Sequence, residues 1–314
     1  MPMPMPMPMP SKMRPLALLS LAAAGLALSA CAGPAPAAPT AAASATCPGG
    51  AIEFGIEPYE DPAKLEPAYR VLADALSQEL DCPVNVQVVE DYAAEVLAMR
   101  NGKLHLGQFG PLGYVFASEE ANAEPLVSFA TAEGQLSSYT AGIWVPKDSD
   151  IRSVADLRDR DLALGGVGST SGDVLPRYAL REAGLPEADL NVNYAGGHPE
   201  ALLALVNGTV DAAQINSQTL ATATAAGTFD ASQFRQVWES EPIPNDPITV
   251  AGDADPEFKR AVKEALLNLP PEAIAEVGAF LDVTPPGPLA EVAKDTYRPL
   301  FDLASTMGLT EEDL

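Results

Sequence analysis

From residue 51 onward, short apolar runs alternate with amphipathic stretches. The runs at 52–56, 84–89, 104–107 and 125–130 predict strands, and the stretches at 62–80, 92–101 and 111–118 predict helices of period 3.6. Asp61-Pro62 offers an N-cap and a favourable first helical residue, and Gly102 closes the second helix. The alternation resumes with strands near Ile143 and at 162–164, 191–194 and 210–213, and with helices at 170–183, 199–207 and 217–226. The stretch 238–247 is broken by Pro242, Pro244 and Pro247 and cannot be one regular element, so it reads as a crossing back to the first unit. The patterns at 256–268, 271–279 and 288–307 predict helices without strand partners, packed as a buttress. The fold class is α/β: two Rossmann-like lobes with parallel sheets, joined by a hinge, lobe one from 47–138 plus 246–314 and lobe two from 139–245. Ligands of such sheets sit in the crevice beyond the carboxyl ends of the strands.

The N-terminal pattern is of another kind. Residues 1–10 alternate Met and Pro as low-complexity sequence, and Met13 is an alternative start. Lys12 and Arg14 precede an apolar run at 16–28, too short to span a bilayer, so 1–30 reads as a signal peptide. Leu28-Ser29-Ala30-Cys31 resembles a bacterial lipobox, which makes Cys31 the lipidated first residue of the mature chain; ordinary cleavage near Ala32 is the alternative. Residues 31–46, rich in Ala, Pro, Ser and Thr, then form a flexible tether that leaves the protein outside the cytoplasm, anchored to a membrane. Export makes oxidation of Cys47 and Cys82 expected, since each precedes a predicted strand and neighbouring parallel strands bring their starts together; two separate buried thiols are the alternative.

Composition narrows the function. Across 314 residues, 43 acidic side chains face 18 basic ones, a formal charge of -25 that repels nucleic acid and anionic headgroups. Three Cys and two His exclude a zinc ribbon, a His-rich metal cluster and a disulfide-dense scaffold, so no metal and no cofactor are expected.

The segment Gly165-Gly166-Val167-Gly168-Ser169-Thr170-Ser171-Gly172 lies between a strand and a helix and has the makings of an anion cradle: permissive glycines, hydroxyls and the amides of a helix start. It lacks the lysine of a nucleotide phosphate loop. Helix capping by Ser169 or Thr170 is the plainer reading. Gly110-Pro111-Leu112-Gly113-Tyr114 and Gly196-Gly197-His198-Pro199 are two more glycine-rich strand-to-helix junctions, and three helix starts at one cleft would replace the water shell of an oxyanion with N–H, O–H and imidazole donors.

Together with Gly208-Thr209-Val210-Asp211-Ala212-Ala213 and Ile243-Pro244-Asn245-Asp246-Pro247, these segments resemble, in order and spacing over 53–269, the PhnD-like phosphate, phosphite and phosphonate solute-binding proteins of ABC importers. The resemblance implies a type II periplasmic binding protein fold, monomeric, delivering its ligand to a membrane permease. It implies that Ser169, Thr170 and Ser171 hold the phosphoryl oxygens, that His198 and Tyr114 donate to them, and that Asp246 faces the ligand from the hinge, with Tyr59 and Tyr139 as further wall residues or as packing. Gln218 stands where members that grip an aminoalkyl phosphonate use a carboxylate, which places 2-aminoethylphosphonate in doubt. Asp246 tolerates an anion only when the ligand brings a proton, as phosphite, phosphate and alkylphosphonate monoanions do and sulfate does not.

Two other functional classes compete with an importer's receptor. A sensory binding protein would present the same ligands to a membrane receptor. A hydrolase would use Ser169 or Ser171 as nucleophile with His198 as base, but no GxSxG elbow occurs and no carboxylate has an obvious place to orient the histidine, so no enzyme is expected.

Overall fold

The structure, a computed structural model, describes residues 44–314; the signal segment, Cys31 and most of the tether lie outside the described residues. Strand β1 (Ile52–Ile56) is apolar almost throughout because both its faces are covered, as expected of a parallel strand between helical layers. Helix α1 (Pro62–Leu80) starts with Asp61 accepting the Ala63 N–H, then come β2 (Val84–Val88), α2 (Tyr92–Arg100), β3 (Leu106–Gln108), α3 (Pro111–Glu120) and β4 (Glu124–Thr131). The chain crosses through β5 (Ser138–Tyr139) into β6 (Gly142–Pro146), β7 (Asp161–Leu164), α4 (Leu175–Glu182), β8 (Asn191–Tyr194), α5 (His198–Val206), β9 (Ala212–Gln214), α6 (Ser217–Ala225) and β10 (Phe234–Glu239). It returns through β11 (Ile243–Pro244) to β12 (Ile248–Val250), α7 (Pro256–Asn268), α8 (Pro271–Phe280), β13 (Pro286–Glu291) and α9 (Arg298–Met307).

One sheet has the order β13-β4-β12-β3-β1-β2 and the other β10-β6-β9-β7-β8. The two crossing segments pair with each other, β5 against β11 with Tyr139 opposite Ile243, and form the hinge. Phe54, Leu72 and Phe258 belong to the core on one face of the first sheet, under α1, α7 and α8; Tyr114, Phe116 and Leu300 belong to the core on its other face, under α2, α3 and α9.

Two expectations are corrected. The sheets are parallel only in part: β2-β1-β3 and β8-β7-β9 run parallel, but β12 enters antiparallel between β3 and β4, and β6 lies antiparallel to β9 and β10. The stretch 288–307 is not one helix without a strand partner. Its start belongs to β13, antiparallel to β4, and α9 begins only at Arg298. Pro288, which in sequence looks like a helix start, fits there because β13 is an edge strand, where proline is tolerated.

Cys47 and Cys82 form a disulfide with their Cα atoms 5.5 Å apart. Ile52 lies opposite Val84 in the parallel β1–β2 pair, and that register brings the two strand starts, and the cysteines before them, together. No helix of the described residues is long and apolar enough to cross a membrane.

Candidate functional site

The junctions that follow β1, β2, β3, β7, β8 and β9 converge with the hinge on one small cavity of about 10 Å³, roughly the room of a single water-sized sphere. Glu57 and Tyr59 come from the loop after β1, Tyr92 from the first turn of α2, and Gly110 from the loop before α3. Ser169, Thr170 and Ser171 follow β7, His198 opens α5, and Asn216 and Gln218 stand at the start of α6. Tyr139 of β5 and Asp246, between β11 and β12, close it from the hinge.

The hydroxyl wall is built on local geometry. Ser169 is a helix cap whose Oγ accepts the Gly172 N–H at 3.1 Å and lies 3.2 Å from His198 Nε2. The glycine at 172 is required by this close approach, since a Cβ there would stand 2.9 Å from both His198 Cε1 and Ser169 Oγ. Asp173, fully buried, accepts the Gly168 N–H and the Tyr194 hydroxyl, each at 2.9 Å, and so fixes the turn that carries the three hydroxyls. Ser171 Oγ accepts from Asn216 Nδ2 at 3.2 Å. Thr170 Oγ1 accepts the Leu112 N–H at 2.9 Å, tying the cradle of the second lobe to the start of α3 in the first.

The opposite wall is acidic. The backbone carbonyl of Asp246 is held by Ser128 Oγ at 2.9 Å, and that of Asn245 by Ser128 Oγ at 3.0 Å and Tyr297 OH at 2.8 Å, which sets the Asp246 carboxyl at the cavity. Burial pushes that carboxyl up to about 7, against a smaller downward pull from Gln108. Glu57 accepts the Gly110 N–H, yet burial and then the neighbouring Asp246 push its carboxyl well above the usual range. Glu95, behind them, is raised by burial and then by both. None of the cavity-lining side chains is Lys or Arg. Burial lowers His198 to about 4, so its ring is neutral at physiological pH.

The arrangement revises several sequence expectations. Tyr114 is not at the cavity: it lies in the core against the rings of Tyr297 and Phe301, at 5.2 and 5.9 Å between centroids. Tyr114 stands about one helical turn, roughly 5 Å, past the α3 start and packs towards α9. The α3 start does not offer its first amides to the cavity either, because Glu57 takes the Gly110 N–H and Thr170 that of Leu112. Gln218 lines the cavity, but its Nε2 donates to Asn245 Oδ1 at 2.7 Å and to the Leu281 carbonyl at 3.2 Å. Glu57, Tyr92 and Asn216 escaped the sequence reading. The rule that found Ser169 and His198, a residue just past a predicted strand end, would have found them if applied after β1, β2 and β9.

Chemically, the site can surround a small polar ligand with hydroxyls on one side and carboxyls on the other. It is poorly made for hydrolysis. His198 Nδ1 faces Gln214 Oε1 at 3.1 Å, and this neutral amide cannot stabilise an imidazolium as a carboxylate would.

The family model for the periplasmic substrate-binding protein of phosphonate ABC transporters matches residues 54–295. The chain is 27% identical over 223 residues to the phosphonates-binding periplasmic protein of Escherichia coli, covering 69% of this chain and 66% of that one. It is 29% identical over 208 residues to the phosphate-import protein PhnD of Mycolicibacterium smegmatis, covering 63% and 64%. The chain thus spans just under two thirds of the length of these two relatives. Its fold matches PhnD1 of Prochlorococcus marinus, solved in complex with methylphosphonate, with a TM-score of 0.71 at 20% identity over 82% of this chain and 98% of that one.

Proposed function

This chain belongs to the family of periplasmic substrate-binding proteins of phosphonate ABC transporters, and from that premise we propose that it receives a small phosphorus oxyanion (phosphite, phosphate or an alkylphosphonate) in the interlobe cavity. The ligand passes to a permease in the membrane. Cys31 carries the lipid that keeps the monomeric protein at the membrane surface outside the cytoplasm. Lobe one comprises 47–138 with 246–314 and lobe two 139–245, so that β5 and β11 are the hinge strands. Ser169, Thr170, Ser171 and His198 contact the phosphoryl oxygens, and Asp246 accepts the proton of a singly protonated ligand, with Tyr59 and Tyr139 as walls.

One observation carries this reading: the cavity sets hydroxyls against buried carboxyls with no basic side chain at its wall. Such a site favours an anion that brings its own hydrogen to the Asp246 carboxyl, because an unmatched buried acceptor costs about 1 to 3 kcal/mol. Phosphorus monoanions satisfy the condition, and sulfate does not.

A thermal-shift panel of phosphite, phosphate, methylphosphonate, 2-aminoethylphosphonate and sulfate tests it. At a hundredfold excess over Kd, a ligand adds about 2.7 kcal/mol, a rise of about 5 °C or more for a protein of this size. Phosphite, phosphate or methylphosphonate should give that rise and sulfate none; a response to sulfate alone, or to nothing in the panel, contradicts the proposal.

A further inference from the structure

Glu57 is 3% exposed and Asp246 4%, and both carboxyls border the one cavity that also gathers Ser169, Ser171 and His198. The groups around this pair have no cation to offer. Tyr59 and Glu60 stand in its own loop, Tyr69 on α1, Tyr92 and Glu95 on α2, Tyr139 on β5, His198 on α5 and Tyr297 in the turn before α9. All are acidic, phenolic or, in His198, a neutral ring.

Two ionised carboxylates and an oxyanion cannot share so small a buried space, since like charges a few ångströms apart repel strongly at low effective dielectric. Gly110 donates one N–H to Glu57, and a neutral carboxyl keeps that hydrogen bond through its carbonyl oxygen while its O–H becomes a donor. Extending the phosphorus-oxyanion reading, on which this inference rests, we propose that Glu57 is a specificity-determining residue: with the ligand in place it is a neutral acid, so the site admits its anion together with a proton on Glu57, beyond the proton the ligand shares with Asp246. Above the pH at which Glu57 ionises in the unoccupied protein, that proton comes from solvent and is returned when the ligand leaves.

Glu57→Gln tests this, because a neutral amide of the same shape can still accept the Gly110 N–H. Phosphite affinity is measured by calorimetry for both proteins from about pH 6 to about pH 10. The ligand's own titration is common to the two, so the ratio of their affinities isolates Glu57. The expected result is that Glu57→Gln binds at least as tightly as the unaltered protein and gains on it as pH rises, by up to about tenfold per pH unit once Glu57 ionises in the unoccupied protein. A ratio that stays flat, or a variant weaker at every pH, overturns the inference. The second outcome is what an ionised Glu57 that holds the Gly110 turn more firmly than an amide can would give.

Should the variant fail to fold, the unaltered protein carries the test through its proton count. Titration in two buffers of different protonation enthalpy from about pH 7 to about pH 10 should show the uptake rise above one proton per phosphite, since the dianion accepts only one in becoming the monoanion; an uptake that never exceeds one overturns the inference. Failure of phosphite to bind the unaltered protein at any pH would instead strike the phosphorus-oxyanion reading itself.

Discussion

Replacing Ser169 and Ser171 together by Ala is expected to weaken phosphite binding about a hundredfold while the protein stays folded. Both hydroxyls border the cavity, and each is nearly fully buried. A hydrogen bond to a charged group contributes about 1.5 to 3 kcal/mol, so losing two removes at least about 3 kcal/mol, or two orders of magnitude in Kd. The folded state loses less. Ser169 caps the turn through Gly172, a role whose loss costs about 1 kcal/mol, and Ser171 gives up one hydrogen bond from Asn216. Calorimetry with a parallel thermal melt separates the two effects. Unchanged affinity in a folded double variant would remove the hydroxyl cradle from the site.

The largest effect on stability is expected from Cys47→Ser with Cys82→Ser. The disulfide closes a loop of 35 residues at the start of the described chain, tying the segment before β1 to the end of α1. Constraint of the unfolded chain by a loop of that length amounts to about 4 kcal/mol, within a usual range of about 2 to 5. Both sulfurs are buried beside the core that holds Phe54 and Leu72, so the serine hydroxyls add a desolvation cost. The melting temperature should fall by about 10 °C in the double variant and equally when the native protein is melted under reductant. A shift of a degree or less would mean that the segment before β1 contributes nothing to the fold. Ligand affinity should change little, because no residue of 44–50 borders the cavity.

The sequence was most legible where a strand feeds a helix. The glycine-rich stretch after β7 and the Gly196-Gly197-His198 turn after β8 mark places where backbone must turn sharply, and parallel pairing then delivers all such turns to one end of the sheet. That rule puts Ser169, Thr170, Ser171 and His198 round a common cavity; Asp246, Tyr59, Tyr139 and Gln218, which line it too, were expected only from the family resemblance. It fails for a residue further along a helix, as for Tyr114, which stands a turn past the α3 start and packs in the core. Glu57 was passed over, although the rule covers it, because a carboxylate at the end of a buried strand reads as the start of a solvated loop; only the burial of both Glu57 and Asp246 gives the charge there its meaning.

Partner choice between strands was less legible than the strands themselves. β12 is only Ile248–Val250, yet it is inserted between β3 and β4, and nothing within three residues announces that the returning chain runs antiparallel there. β10 has an intermediate, nearly uniform burial that leaves no alternation to read. In β13 the proline that suggested a helix marks a sheet edge. These are tertiary outcomes, decided by which sheet edge is free when the segment arrives.

A cavity of hydroxyls and buried carboxyls, with no basic side chain at its wall, should take a protonated phosphorus oxyanion. The structure of the protein crystallised with phosphite tests it most directly. Oxygens of the phosphite should lie within hydrogen-bonding reach of Ser169, Ser171 and His198 on one side, and another oxygen of the ligand in a short contact with the Asp246 carboxyl on the other. Phosphite found elsewhere, with this cavity closed and unoccupied, would contradict it.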